Sequence, residues 1–75
     1  MPQKLPVLQS RDIIKALEKG GFLLKRQTGS HAILFKPGLR RPVSVPVHAF
    51  DMPVGTLRAI IRQANLTIEE FLNLL

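Results

Sequence analysis

The first third of the chain has the spacing of an amphipathic helix. Ile13 and Leu17 are one helical turn apart, which puts them on the same side and predicts that this side is buried. Ser10 precedes them and belongs to the residue types that favour an N-cap position. Gly20-Gly21 follows, and one of these glycines can adopt the left-handed conformation that ends a helix. The pattern therefore predicts a helix from Ser10 to about Lys19.

The middle of the chain has the pattern of three short strands separated by turns. The predicted strands are Phe22–Gln27, His31–Lys36 and Val43–Val47. The intervening turns, Thr28-Gly29-Ser30 and Pro37–Arg40, are short enough to favour an antiparallel meander. Pro46 has no N–H to donate to a neighbouring strand, so we expect the third strand at the edge of the sheet.

The last third predicts two helices. The first begins near Pro53, since proline suits the first helical position, and ends at about Asn65. Its predicted buried side comprises Leu57, Ile60, Ile61 and Ala64. Thr67 and Glu70 have the spacing of a capping box, which starts a short last helix. The apolar side of that helix comprises Ile68, Phe71, Leu72 and Leu75.

These elements predict an α+β fold in the order α-β-β-β-α with a short C-terminal helix. Two amphipathic helices can cover one face of a three-stranded sheet and leave the other face open. Alternation puts His31, Ile33 and Phe35 on one face of the second strand, and Leu34 and Lys36 on the other. It does not tell which face is covered. Either choice leaves an apolar side chain exposed, which indicates a contact surface.

Length and composition narrow the class of protein. At 75 residues without cysteine, we expect one domain over residues 1–75, held together by packing alone. The sequence contains no apolar run long enough to cross a membrane and no signal-peptide pattern at its start. A cytoplasmic location is the expectation. The formal net charge of +6 favours polyanionic partners such as nucleic acid.

Candidate chemistry is sparse. The two histidines are far apart and the five acidic residues are scattered, whereas a metal site needs three or four converging ligands. We therefore expect neither a metal nor another cofactor. The sequence also has no Gly-rich phosphate loop, no Ser-His-Asp pattern and no paired carboxylates of the kind that glycosidases use.

One histidine in a basic setting remains. His31 follows a Gly-Ser turn and lies between Lys25-Arg26 and Lys36 in the chain. RNA brings its own nucleophile, the ribose 2′-OH, so its cleavage needs a base, an acid and positive charge. His31 can supply proton transfer, and the cations can supply the charge. The residues alone are also consistent with a purely structural His31 that forms local hydrogen bonds in its turn. His48 either ends the third strand or acts as a second acid or a phosphate contact.

Several motifs follow one another in a specific order. They are Gly29-Ser30-His31, Val45-Pro46-Val47-His48, the segment Pro53–Ile60 and the tail Gln63–Leu72. Together they resemble the HicA-type, or YcfA-like, toxins over roughly Ser10 to Leu75. Each motif is weakly specific alone, and their combination is quite specific.

The resemblance implies a double-stranded-RNA-binding-domain-like fold and a metal-independent mRNA interferase. It also implies a HicB-type antitoxin as partner, and we expect the free toxin to be a monomer. The family's catalytic histidine falls on His31. We expect RNA contacts from Lys25, Arg26, Ser30, Lys36 and Arg58. If His31 faces outward, Ile33 and Phe35 form an apolar strip beside it, where the antitoxin is expected.

The chain departs from the family pattern at two places. Ala32 stands where many relatives carry a second histidine or an arginine, and residues 48–52 are more apolar than is usual. Both differences remove polar groups near the site, so they bear on the strength of the expected RNA cleavage more than on its kind. Two alternatives stay open. The same fold and basic surface suit a non-catalytic RNA-binding module, and the chain is otherwise a degenerate toxin that only binds its antitoxin.

Overall fold

The computed structural model describes residues 5–75. Its elements are α1 (Ser10–Lys19), β1 (Leu23–Gln27), β2 (His31–Phe35), β3 (Val43–Pro46), α2 (Val54–Gln63) and α3 (Ile68–Leu72). This confirms the predicted α-β-β-β-α order with a short C-terminal helix. Within the described residues, no helix is both long enough and apolar enough to cross a membrane.

The start of α1 differs from the prediction by one residue. Gln9 is the N-cap, and its backbone N–H donates to Asp12 Oδ2 at 2.9 Å. Ser10 is instead the first helical residue, and its hydroxyl donates to the Pro46 carbonyl at 2.7 Å. The N-cap assignment to Ser10 was wrong because a tertiary hydrogen bond occupies this hydroxyl. The helix ends as expected, with Gly21 at φ 96° in the left-handed region.

The sheet has the strand order β1-β2-β3, and both pairs are antiparallel. β3 therefore lies at an edge, as Pro46 predicted. Val47 N–H donates to the Ser30 carbonyl at 2.8 Å, whereas Ser44 N–H reaches Gln63 Oε1 of α2 at 3.4 Å. Successive N–H groups of a strand alternate in direction, so an N–H at position 46 would point away from β2. Proline therefore removes no hydrogen bond from the sheet.

The two faces of the sheet have different surroundings. The inner face carries Ala32, Leu34, Val43 and Val45, all at 0% exposure. These side chains form one core with α1 and α2 residues, among them Ile13, Leu17, Leu57 and Ile60. The opposite face, called the outer face below, comprises Leu23, Lys25, Arg26, His31, Ile33, Phe35, Ser44 and Pro46. Because both long helices pack against the inner face, the structure shows that His31 faces outward.

The C-terminal helices follow the predicted pattern with two differences. The predicted buried side of α2 is confirmed, since Leu57, Ile60, Ile61 and Ala64 are all buried. Pro53 is the N-cap of α2 and not its first residue, and the helix ends at Gln63. The capping box is present, with Glu70 N–H donating to Thr67 Oγ1 at 3.0 Å. Leu75 was wrongly assigned to the buried side of α3, because it lies beyond the end of that helix and is 46% exposed.

Candidate functional site

His31 is the first residue of β2 and is exposed. Its backbone closes the hairpin between β1 and β2. Thr28 N–H donates to the His31 carbonyl at 2.9 Å, and His31 N–H donates to Thr28 Oγ1 at 3.1 Å. The hairpin therefore holds the histidine backbone rigidly while the imidazole stands on the open outer face.

The Ser30 hydroxyl orients the His31 ring. Ser30 Oγ lies 3.1 Å from His31 Nδ1, and a hydroxyl can donate to an unprotonated ring nitrogen or accept from a protonated one. This contact occupies Nδ1 in either protonation state. Nε2 is then the nitrogen available to a ligand. A histidine arranged in this way can take up a proton or release one at Nε2.

A β-bulge brings two cations, Lys25 and Arg26, to the outer face. Leu24 pairs with Leu34 and Arg26 pairs with Ile33, so Lys25 is an extra residue without a partner. Strictly alternating residues would put Lys25 and Arg26 on opposite faces. The bulge instead lets Lys25 Nζ lie 5.6 Å from the centroid of the Phe35 ring, on the same face as Arg26.

Arg26 lies close to His31 across the hairpin. Its partner Ile33 is two residues from His31 along β2, and such diagonal neighbours are typically about 7–8 Å apart. A long guanidinium side chain can cover that distance. The outer face thus combines an available imidazole nitrogen with two cations, an arrangement suited to proton transfer beside an anionic group.

His48 follows the end of β3 and is held at both its backbone and its ring. Its N–H donates to the hydroxyl of Ser10 at 3.2 Å, and Nδ1 lies 2.9 Å from the Phe50 carbonyl. A carbonyl can only accept, so Nδ1 carries the proton in this contact. The imidazole also stacks on the Phe50 ring, with centroids 3.7 Å apart and planes inclined by 5°. Nε2 of His48 is therefore the nitrogen left for a ligand.

Two of the predicted RNA contacts lie away from His31. Lys36 follows the opposite end of β2, about 16 Å along the strand, and its Nζ lies 5.5 Å from the centroid of the buried Phe22 ring. Arg58 lies on α2 and lines a surface depression with Arg62 and Leu66. The structure thus places Ser30 and Arg26 near His31, and Lys25 farther along the same face over Phe35. Lys36 and Arg58 lie away from this face.

Over residues 5–75, no three His, Cys, Asp or Glu side chains come close enough to hold a metal ion. The same part of the chain contains no buried polar side-chain atom without a hydrogen-bond partner.

Sequence reasoning missed three features of this region. The bulge at Lys25 carries no glycine or other local signal. The bonds from Ser10 to the end of β3 join residues 36 and 38 positions apart, so no local pattern reveals them. The stacking of His48 on Phe50 had a weak signal, since two rings with one residue between them follow a strand end.

Comparison with known proteins adds one finding. Residues 10–66 of the 75-residue chain match the sequence model of the family described as the HicA toxin of bacterial toxin-antitoxin systems. The match includes His31, His48 and the whole sheet. A search of curated proteins finds no match. Because the family match covers most of the chain, this protein belongs to the HicA toxin family of bacterial toxin-antitoxin systems.

Proposed function

We propose that this toxin is an endoribonuclease and that His31 is its catalytic acid–base. The observation that carries the proposal is the exposed His31 ring on the outer face, oriented by Ser30 and accompanied by Lys25 and Arg26. A positioned imidazole is the commonest acid–base group in enzymes. The net charge of +6 agrees with a polyanionic substrate.

The proposed reaction uses the nucleophile that RNA supplies. A base removes the proton of a ribose 2′-OH, and O2′ forms a bond to the adjacent phosphorus. The bond from phosphorus to O5′ breaks, and an acid protonates the departing O5′. The products are a 2′,3′-cyclic phosphate and a free 5′-OH. Arg26, the cation nearer to His31, stabilises the additional negative charge of the phosphorane, and Lys25 contacts a neighbouring backbone phosphate. Because the nucleophile belongs to the substrate, the reaction requires no metal.

His31 takes up or releases its proton at Nε2 in this scheme, because Ser30 occupies Nδ1. His48 is the second candidate for proton transfer or for a phosphate contact. Its Nδ1–H is held by the Phe50 carbonyl, so Nε2 is the nitrogen left for a ligand. In the protonated ring, Nε2 can act as the acid for O5′ or as a donor to a phosphate oxygen.

Cleavage of end-labelled RNA in the presence of EDTA tests the proposal. The wild-type chain should cleave, and His31→Ala should lower the rate about 10²–10⁴-fold. RNA with 2′-O-methyl groups should resist cleavage, since it lacks the nucleophile. Circular dichroism of His31→Ala should match wild type because the side chain is exposed. Unreduced cleavage by folded His31→Ala would contradict the assignment.

The alternative of a non-catalytic RNA-binding module rests on the same cations. It predicts salt-dependent RNA binding without any cleavage by the wild-type chain. The degenerate-toxin alternative predicts that expression of the wild-type chain leaves growth unchanged. The cleavage assay with EDTA and a growth assay therefore distinguish an active toxin, an RNA-binding module and a degenerate toxin.

We further propose that a HicB-type antitoxin covers the outer face. Ile33 and Phe35 are half-buried there and lie along β2 on the same face as His31, and Leu23 is 62% exposed. Apolar side chains next to a reactive group are suited to a protein that blocks it. Phe35→Glu should abolish co-purification with the antitoxin, whereas Leu75→Glu, outside the sheet, should not. Co-purification of the antitoxin with both variants would show that it binds outside the outer face.

A further inference from the structure

We infer that Phe50, supported by His48, is a stacking subsite for an unpaired nucleobase of the RNA. The inference rests on the proposed function, because it takes RNA as the ligand. It adds that the substrate presents a single-stranded or extruded base near the point of cleavage.

Phe50 is the most exposed aromatic residue of the chain. The sequence contains four phenylalanines and no tryptophan or tyrosine. Phe22 and Phe71 are buried at 2% and 0% exposure, and Phe35 is half-buried on the outer face. Phe50 remains 62% exposed. A ring that contributes so little to the core is free to contact a ligand.

The ring is also held in position before any ligand binds. His48 stacks on it at 3.7 Å, and His48 Nδ1 donates to the Phe50 carbonyl at 2.9 Å. The loop is attached at both ends, because Ser10 Oγ accepts from His48 N–H at 3.2 Å and the Leu8 carbonyl accepts from Met52 N–H at 2.7 Å. A preorganised ring loses little conformational entropy when a base stacks on it.

The stacked rings lie close to the proposed catalytic histidine. Pro46 is the register partner of His31, and His48 follows two residues later. From strand geometry, the Cα atoms of His48 and His31 are at most about 13 Å apart. A base on Phe50 would therefore belong to a nucleotide near the phosphate at His31. Because paired bases expose no free face, the subsite selects single-stranded RNA over duplex.

A tryptophan at position 50 reports stacking directly. The chain has no tryptophan or tyrosine, so Phe50→Trp contains a single strong fluorophore, which an unpaired base quenches on stacking. Leu75→Trp is the control, since Leu75 is 46% exposed and lies after α3, outside the sheet. The probes are 2′-O-methyl oligoribonucleotides, which cannot be cleaved through the 2′ position. A single strand, its duplex and an abasic strand of equal length are compared.

We expect the single strand to quench Phe50→Trp, and the abasic strand and the duplex to leave its emission nearly unchanged. None of the three probes should quench Leu75→Trp. In fluorescence anisotropy, Phe50→Leu should weaken single-strand binding about tenfold. Phe50→Tyr should bind the single strand as tightly as wild type. Phe50→Leu and Phe50→Tyr should have equal affinity for the abasic strand.

The outcomes separate this inference from the proposed function. If the wild-type chain binds and cleaves RNA while Phe50→Leu binds the single strand unchanged, the subsite is overturned and the proposed function stands. Quenching by the abasic strand equal to that by the intact strand would likewise overturn stacking. If the wild-type chain binds no RNA at all, both proposals fail.

Discussion

His31 and Pro46 are opposite each other across the β2–β3 ladder, at a position where no backbone hydrogen bond joins the two residues. Side chains approach most closely at such positions, and both of these lie on the outer face. Pro46 is therefore a rigid neighbour of the histidine, and its ring occupies an edge position that requires no N–H donor.

Replacing Pro46 should change stability only slightly. Pro46→Ala removes no hydrogen bond, so its main effect is greater freedom of the unfolded chain, about 0.4–1 kcal/mol. Leu34→Ala, at a fully buried position on the inner face, should cost about 2–5 kcal/mol. Urea denaturation of both variants measures the difference. A loss for Pro46→Ala as large as that for Leu34→Ala would show that the ring has a packing role.

Removing the Ser10 hydroxyl should destabilise the protein more than its place on a helix suggests. Ser10→Ala leaves the Pro46 carbonyl and the His48 N–H without their partner. Because Ser10 is only 3% exposed, water replaces this hydroxyl poorly, and we expect a loss of about 1–3 kcal/mol. Ser30→Ala is the control, since Ser30 is exposed and should change stability by less than about 0.5 kcal/mol. Equal effects in chemical denaturation would argue against the tertiary role of Ser10.

The salt dependence of RNA binding should identify the cations that contact phosphate. Lys25→Ala and Arg26→Ala should each reduce the slope of log K against log[salt] by about 0.7 for a single strand. Arg58→Ala should leave the slope nearly unchanged, because Arg58 lines a depression on α2 with Arg62. Titrations at several salt concentrations give the three slopes. If only Arg58→Ala reduced the slope, the RNA would bind at α2 and not at the outer face.

Two glycines should respond oppositely to alanine. Gly55 lies in the first turn of α2, and a Cβ there would meet no atom within 4 Å. Gly55→Ala should therefore stabilise the protein by about 0.5–1 kcal/mol. Gly38 has φ +95° in the turn before β3, so Gly38→Ala should destabilise by about 1–2 kcal/mol. Thermal melts of both variants check the opposite signs. A destabilising Gly55→Ala would contradict the open surroundings of that position.

Local patterns in the sequence were sufficient to predict the order of elements. The buried sides of α1 and α2 follow from apolar residues at helical spacing, and the capping box at Thr67 follows from two residues three positions apart. Proline at position 46 predicted an edge strand because its missing N–H is a property of the residue itself. The family motifs added the expectation for His31.

Only the tertiary structure decided what surrounds these elements. Alternation grouped His31 with Ile33 and Phe35, but the outward orientation of that group depends on which face α1 and α2 cover. The bulge at Lys25 depends on how β1 pairs with β2, and the Ser10 hydroxyl has its partners at the end of β3. Periodicity is a local property of the chain, whereas these contacts join distant segments. The sequence by itself therefore determined the helices, the strands and the candidate histidine. The packing of the helices on the sheet decided that His31 faces outward, and the pairing of β1 with β2 decided that Lys25 and Arg26 share that face.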